Sequence, residues 1–204
     1  MFRAGFLAVS ALSAAAACGQ VLPMDPFLGD VRDDYTGYTT NLPGLIDSAI
    51  TVLDGHMTVR SHDGRTFVHL ITSSNLGGDL VQPRSPSYML GVTEGPMIWE
   101  FHRPARAIGA WWESNAGLSG AVATFFNESG DVIGEQAVNI PAQGQQWVWN
   151  GWSSSEGIAR ISFDGNGVLN GFIWTDDVEY IAIPEPAAGL LVLAGLGFLR
   201  RRAP

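Results

Sequence analysis

Two Asp-Gly dipeptides constrain the fold of this chain more than any other feature of its sequence. Residues 48–71 read SAITVLDGHMTVRSHDGRTFVHLI, and each Asp-Gly pair stands between β-forming runs. Asp-Gly favours the tight turn of a β-hairpin, because both central residues of that turn need positive φ. The segment therefore predicts three consecutive antiparallel strands, joined by two-residue turns at Asp54-Gly55 and Asp63-Gly64.

The two turns also set the strand register, which can be checked against the hydrophobic pattern. They predict four cross-strand pairs: Ile50 with Val59, Val52 with Met57, Val59 with Val68, and Met57 with Leu70. All of these side chains are apolar and fall on one face, so two independent turns agree on a single core face. The opposite face then carries mostly polar residues, together with Leu53 and Phe67.

Further short β-forming runs follow at close spacing along the chain. They lie at 96–102, 106–114, 118–126, 131–139, 146–152, 158–164 and 171–181. Turn-forming residues separate some of them, at 127–130 and 164–167. About ten short strands without a helical period are typical of a sandwich or barrel. We therefore predict an all-β fold, a single antiparallel β-sandwich domain over residues 21–182.

Charge and cysteine content limit the classes of function. Cys18 is the single cysteine, so the predicted domain has no disulfide and depends on its core for stability. Removing residues 1–20 and 187–204 takes away four of eleven arginines and none of the twenty acidic residues, which leaves a net charge of −13. Such a surface repels nucleic acid and acidic polysaccharide unless cations bridge them, and we expect no nucleic-acid partner.

The first twenty residues have the pattern of a secretory signal peptide. Arg3 gives a positive start, residues 4–17 are almost entirely apolar, and small residues follow. This pattern predicts cleavage by signal peptidase. Ala-Ala-Cys-Gly around Cys18 also allows a lipoprotein cleavage site, although Ala15 stands where leucine is usual. Both outcomes stay open.

The last segment, residues 183–204, reads IPEPAAGLLVLAGLGFLRRRAP. Its apolar run, 187–199, predicts a short helix of about 20 Å, whereas a bilayer core of roughly 30 Å needs about 20 residues. Glu185 between two prolines blocks extension backwards, and the arginines after the run favour the cytoplasmic side. A transmembrane helix here would span the membrane poorly.

This tail closely resembles the PEP-CTERM protein-sorting segment of exported bacterial proteins. The motif residues are Pro184, Glu185, Pro186, Arg200, Arg201 and Arg202. The resemblance implies recognition by an exosortase, a membrane transpeptidase-like enzyme. It also implies export through the inner membrane to the cell surface, outer membrane or exterior of a biofilm-forming, Gram-negative-type bacterium.

The region between Ile98 and Tyr180 resembles an extracellular β-sandwich that is common in PEP-CTERM proteins. The segments WEFHRPARAIGAWW and ATFFNESGDVIGE are similar to its strand-proline-strand step and its central hairpin. That family is similar to jelly-roll, galactose-binding-like modules, and its activity is largely undefined. The resemblance therefore implies a jelly-roll-like sandwich.

The last predicted strand contains the most informative polar residue, Asp176. Alternation along IWTDDVEY places Asp176 on the same face as Val178 and Tyr180. If that face is the core, the carboxylate needs hydrogen bonds or a cation. Jelly-roll modules similar to this one often hold a structural Ca²⁺ where the last strand meets the N-terminal segment, and Asp33 and Asp34 offer suitable oxygen ligands there. Hydrogen bonding to a neighbouring loop and a calcium site both stay open, and we expect no other cofactor.

Seven tryptophans offer either core packing or sugar-binding surfaces. Trp147 and Trp149 share a strand face, while Trp111 and Trp112 point in opposite directions, so one of that pair is predicted to reach the surface. Flat aromatic rings suit sugar rings, and packing in the core is the alternative for most of them. We take Trp111, Trp147 and Trp149 as candidate ligand-binding residues.

The motifs of common hydrolases are absent from the sequence. It has no Gly-x-Ser-x-Gly elbow and no His-Glu-x-x-His, and Glu100, Glu113 and Glu128 form no recognisable glycosidase pair. We therefore expect a non-enzymatic, exported cell-surface or extracellular-matrix protein. The alternatives are a carbohydrate-binding module for exopolysaccharide or another glycan, and a cryptic glycan hydrolase.

Overall fold

A computed structural model describes residues 20–38, 44–62, 68–117, 119–165 and 171–184. Within these ranges the chain forms antiparallel strands and one 3₁₀ turn, so the fold is all-β as predicted. The strands are β1 (Leu22–Pro23), β2 (Val31–Asp33), β3 (Gly44–Asp47), β4 (Ala49–Val52), β5 (Met57–Ser61), β6 (Val68–Ile71), β7 (Ser74–Leu76), β8 (Asp79–Val81), β9 (Met89–Val92), β10 (Met97–Ser114), β11 (Ala121–Phe126), β12 (Val132–Val138), β13 (Val148–Gly165) and β14 (Ile173–Ala182).

Two long strands, β10 and β13, organise one large sheet. They pair with each other antiparallel, with register shifts between Glu100 and Ala107 that divide β10 into two halves. The first half of β10 pairs with β5, and the matching part of β13 pairs with β11. The second half of β10 pairs with β14, which continues through β9 and β6 to β3.

The large sheet folds back on itself at these register shifts. Trp99 and Trp112 lie on opposite halves of β10, yet their ring centroids are 5.2 Å apart. A straight strand would separate them by about 40 Å. The two halves of the sheet therefore face each other across a shared core, as in sandwiches whose corner strands pass from one layer to the other through bulges. This arrangement fits the predicted sandwich.

The core between the two layers is rich in aromatic side chains. Its largest fully buried members include Trp99, Trp112, Tyr35, Tyr180, Phe125 and Phe163. A second, smaller cluster of Val81, Met89 and Trp174 is packed by Ile71 and Trp147. The hairpin β7–β8 contributes to this second cluster, so the layer that contains β14 is covered on both faces over part of its area.

The first predicted hairpin is confirmed in its pairing but not in its turn. Ile50 pairs with Val59 and Val52 pairs with Met57, as the register argument requires. The turn is longer than two residues, since Leu53–Gly55 form a 3₁₀ turn in which all three have positive φ. Leu53 is fully buried rather than on the polar face, because its φ of 55° breaks the alternation of the strand; its N–H donates to Asp33.

The second predicted hairpin is wrong. Val59 pairs with Trp99 of β10, and β6 pairs with β3 and β9 in the opposite layer. Val68 and Leu70 are nevertheless fully buried, as predicted. Both layers turn their apolar faces towards one core, so the hydrophobic pattern gives the face of a strand and not its partner. The Asp63-Gly64 turn lies outside the described residues.

The later predicted strands are found close to their expected positions. The runs 96–102 and 106–114 join into β10, and 146–152 and 158–164 join into β13. The predicted turn after β11 is present, with the Asp131 N–H donating to the Asn127 side chain at 2.9 Å. Prolines and glycines near the middle of the joined runs mark bends in the strands rather than ends.

The predicted targeting segments lie almost wholly outside the described residues. Residues 1–19 of the predicted signal peptide and residues 185–204 of the predicted tail are not described. Among the residues that are described, no helix is long and apolar enough to cross a membrane. The predicted C-terminal helix therefore stays a prediction.

Candidate functional site

The polar and aromatic residues of interest gather on the outer face of the layer built by β13, β10 and β14. Residues 22–33, which we call the strap, begin with β1 beside β13 and end with β2 beside β14. Between these strands the strap crosses the sheet, with the Trp149 indole N–H donating to the Met24 carbonyl at 3.0 Å and Phe27 packed edge-on against Trp149. It therefore covers the centre of this face.

A β-bulge in β14 decides where Asp176 points. Asp177 has a φ of 48°, and the register with β10 shifts so that Trp111 pairs with Asp176 and Gly109 with Glu179. The alternation reverses at the bulge, because one extra residue there moves the following side chains to the other face. The prediction that Asp176 shares the core face with Val178 is therefore wrong, and Asp176 lies on the outer face beside Trp111.

Asp176 is nevertheless fully buried, because the loop at Arg84 and Ser85 covers it. Its carboxylate accepts the N–H groups of Arg84 and Ser85 at 2.8 and 2.9 Å and the Ser85 hydroxyl at 2.9 Å. It also accepts the N–H of Asp177 at 2.7 Å. Burial raises the pKa of Asp176 to about 6 in spite of these donors. These contacts correspond to the hydrogen-bonding alternative of the sequence analysis.

The other two carboxylates of the predicted calcium site accept separate donors. Asp33 accepts the Leu53 N–H at 2.7 Å and the Tyr38 hydroxyl at 3.0 Å. Asp34 accepts the hydroxyl of Thr36 at 2.6 Å. Among the described residues, no three His, Cys, Asp or Glu side chains are grouped so that they could hold a metal ion. The calcium alternative gains no support from this geometry and stays a prediction for a chelation experiment.

The acidic run of β14 fastens neighbouring segments to the sheet. Asp177 forms ion pairs with Arg84 and, at 3.0 Å, with Arg32 of the strap. Glu179 accepts the Gly29 N–H at 2.8 Å and lies 3.5 Å from the Arg32 guanidinium. All three acidic residues of this run are buried. They therefore act together as a clasp that holds the strap and the Arg84 loop in place.

Most of the tryptophans lie in the core, as the sequence predicted. Trp99, Trp112, Trp152 and Trp174 are at most 2% exposed. Trp111, Trp147 and Trp149 are half-buried and lie on the outer side of the layer. Of the adjacent pair, Trp111 reaches the surface and Trp112 enters the core, as expected. Whether these three bind a ligand stays a prediction.

The candidate tryptophans do not form one flat platform. Trp111 and Trp149 meet edge to face, with ring centroids 5.9 Å apart and planes at 67°. The Arg84 guanidinium lies 4.1 Å from the centre of the Trp111 ring. Trp149 rests on the paired glycines 109 and 151, where an added Cβ at Gly109 would come within 2.4 Å of the indole. These rings are engaged mainly with the strap and the Arg84 loop.

An open cavity of about 670 Å³, with both polar and apolar residues in its lining, lies near the end of β10. It is lined by Leu76, Gly77, Gly78, Asp79, Asn115, Ala116, Gly117, Ala142, Gln143 and Gly144. Both carboxylate oxygens of Asp79 accept the Gly144 N–H at 3.1 Å. Asn115 accepts the Trp174 indole N–H at 3.1 Å and donates to the Ser74 hydroxyl and the Asp79 carbonyl at 3.2 Å. Sequence reasoning missed this group, because its members come from three segments without a common spacing.

Glu113 lies fully buried on β10 close to this cavity. One of its oxygens accepts the Gln146 N–H at 3.1 Å, and the other has no hydrogen-bond partner among the described residues. Burial raises the pKa of Glu113 to about 8, and the negative charges of Asp79 and Asp176 add to the effect. A pKa in this range favours the protonated carboxyl over the carboxylate at neutral pH.

Comparisons with known proteins give weak likenesses of fold alone. No family model and no curated protein matches this chain. A DUF4465 family protein from Bacteroides caccae is 12% identical with a TM-score of 0.43, over 80% of this chain and 100% of that one. A glycoside hydrolase family 43 arabinoxylan arabinofuranohydrolase from Bacillus subtilis is 15% identical with a TM-score of 0.36, over 59% of this chain and 25% of that one.

A third solved structure, tailspike protein 4 of bacteriophage CBA120, is 16% identical with a TM-score of 0.31. The match covers 69% of this chain and 19% of the tailspike chain. Likenesses at these TM-scores do not bear on the function of this chain.

Proposed function

We propose that this chain is an exported, non-enzymatic cell-surface or extracellular-matrix protein. Its body is a jelly-roll, galactose-binding-like β-sandwich, and it is sorted through its PEP-CTERM-like tail by an exosortase-type enzyme. The proposal that the protein is not an enzyme is supported by the contacts of the buried carboxylates on the outer face. Asp176, Asp177 and Glu179 hold main-chain and arginine donors, and so serve the fold.

Glycan hydrolysis would need a different arrangement. It requires two carboxyl groups that reach the sugar, about 5–5.5 Å apart for retention or about 6.5–9.5 Å apart for inversion. Glu113 has the raised pKa of a general acid, but it is fully buried. The cryptic-hydrolase alternative is therefore the weakest, and turnover of chromogenic glycosides by the purified protein would revive it.

Sorting is tested by the intact mass of the protein recovered from the surface of its own cells. We expect a species that lacks the N-terminal signal and the tail from residue 187 onwards. Lipidation of Cys18 would appear in the same spectrum as an acyl mass. A matched strain carrying Pro184→Ala, Glu185→Ala and Pro186→Ala should retain the tail. Full-length protein in the inner membrane of both strains would overturn the sorting proposal.

A carbohydrate-binding role is the second candidate. It is favoured by the open cavity near β10, whose lining includes the hydrogen-bonding side chains of Asp79, Asn115 and Gln143. A glycan array probed with the mature protein, beside the chromogenic substrates, separates the alternatives. Binding without turnover supports a carbohydrate-binding protein, whereas the absence of both leaves the matrix role and removes the glycan role.

A further inference from the structure

We propose that the cavity near the end of β10 binds a neutral, hydroxyl-rich ligand, namely a sugar unit of a polysaccharide. This inference rests on the carbohydrate-binding candidate above and names its site. The cavity volume of about 670 Å³ lies within the range of small-molecule sites, about 300–1,000 Å³. It leaves room for one or two sugar rings.

The charge of the lining selects against acidic ligands. Asp79 is the charged side chain in it, and the described lining residues include no arginine, lysine or histidine. A uronic acid or a phosphate would bring a second negative charge beside Asp79 without a cation to offset it. Burial raises the pKa of Glu113, just outside the cavity, so this carboxyl adds little negative charge there at neutral pH.

The remaining lining matches the needs of sugar hydroxyls, which both donate and accept hydrogen bonds. Gln143 contributes an exposed amide, and Asp79 has carboxylate lone pairs beyond those that meet Gly144. The four glycines of the lining bring main-chain groups to the surface without side chains in the way. Leu76, which is 38% exposed, and the alanines 116 and 142 offer apolar surface to the faces of a sugar ring.

The cavity wall is also held in place before any ligand arrives. Asp79 fixes the loop at Gly144 to the hairpin β7–β8, and Glu113 fixes the same loop through Gln146. Asn115 is held between Trp174, Ser74 and the Asp79 carbonyl. A preformed wall reduces the entropy lost on binding, which favours recognition of a small ligand.

Calorimetric titration with a panel of oligosaccharides tests the inference. The protein used is the mature form, purified after expression of the full-length chain. The panel contains neutral hexose and pentose oligosaccharides, and uronic-acid oligosaccharides of equal length. Fragments of the organism's own exopolysaccharide and of plant cell wall form two further arms, which separate the sources. We expect at least one neutral ligand to bind, with uronic-acid counterparts at least tenfold weaker.

The variant Ala142→Phe places a ring in the cavity and removes no hydrogen bond. We expect it to weaken neutral-sugar binding at least tenfold, and Gln143→Ala to weaken it severalfold. Ala137→Phe, at an exposed position of β12 that does not line the cavity, is the matched control and should stay within about twofold of the parent. Thermal melts of all three confirm folding.

The possible results distinguish the proposed sugar site in the cavity from the more general carbohydrate-binding role. Sugar binding that survives Ala142→Phe but is lost in Trp111→Ala or Trp149→Ala overturns the cavity and keeps a carbohydrate-binding protein. Tighter binding of the uronic-acid series overturns the neutral-ligand assignment. No binding to any arm overturns both the cavity and the carbohydrate role, while the sorting experiment remains an independent test of export.

Discussion

Four hydrogen-bond donors contact the carboxylate of Asp176. A substitution at this residue therefore tests how much these hydrogen bonds stabilise the outer face. Asn at this position keeps one acceptor oxygen but turns an NH₂ group towards main-chain donors. We expect Asp176→Asn to destabilise the protein by about 1–3 kcal/mol. Asp131→Asn, at an exposed position, should cost less than about 0.5 kcal/mol.

The same melts decide between hydrogen bonding and calcium. An ion bound only by the native state adds about 2.7 kcal/mol at 100 times its dissociation constant, and EDTA would remove that stabilisation. We expect the parent protein to melt at the same temperature with calcium and with EDTA, because its donors already occupy the carboxylate. A melting temperature that rises with calcium in the parent, and not in Asp176→Asn, would establish the metal site.

The raised pKa of Glu113 predicts that the stability of the protein falls as the pH rises. Its pKa is about 8 in the folded protein and near 4.5 when unfolded, so the folded state binds the extra proton between these values. Stability is therefore lost as the pH rises through this window, at up to about 1.4 kcal/mol per pH unit. We expect Glu113→Gln to be more stable than the parent at pH 8.5 and to flatten the curve.

Urea denaturation between pH 6.5 and 8.5 measures this slope. The window lies above the pKa of about 6 of Asp176, so that group contributes little to it. Glu128→Gln, in the exposed turn after β11, is the control and should keep the parental slope. A parent whose stability is constant over this range would contradict the buried, protonated state of Glu113.

At the scale of the strand, β5 provides two adjacent positions with opposite environments. Val59 is fully buried between Ile50 and Trp99, whereas Thr58 is half-buried and contacts the His102 ring at 2.9 Å. We expect Val59→Asp to unfold the protein, because it buries a charge without a partner. Thr58→Asp should change stability by less than about 1 kcal/mol. Similar melts for the two variants would contradict the register of β5.

The sequence could predict strand faces far better than strand partners. Alternation identified the buried faces of β4, β5 and β6, because burial acts on each strand separately. It could not show that β5 pairs with β10 while β6 belongs to the opposite layer. It also missed the bulge at Asp177, since a non-glycine residue with positive φ leaves no signature in the pattern. One such residue reversed the expected direction of Asp176.

At the scale of the whole molecule, the candidate sites depend on contacts between distant segments. The clasp joins residues about 150 positions apart, such as Gly29 and Glu179. The cavity brings together Asp79, Asn115 and Gly144. Burial of most tryptophans, and the division of Trp111 and Trp112 between the two faces of β10, followed from composition and alternation. The clasp and cavity did not, because their geometry is set by the bending of β10 and β13 and by how the loops cross the sheet.

The strap covers the outer face of the layer built by β13, β10 and β14. One glycine determines how closely the strap can approach β14. An added Cβ at Gly29 would lie 2.6 Å from both the main-chain N and O of Tyr180 and 2.8 Å from the carbonyl O of Val31. These are backbone atoms that cannot rotate away, so the strap would have to lift from the sheet. That movement would separate the Gly29 N–H from Glu179 and uncover Trp149.

We therefore expect Gly29→Ala to destabilise the protein by about 1–3 kcal/mol and to shift tryptophan emission to longer wavelength. Gly37→Ala is the matched control, because nothing lies within 4 Å of its added Cβ, and it should change stability by less than about 0.5 kcal/mol. Urea denaturation followed by fluorescence measures both effects in one experiment. Equal stability of the two variants, with unchanged emission, would show that the strap does not lie on β14. The clasp could then no longer be regarded as its anchor.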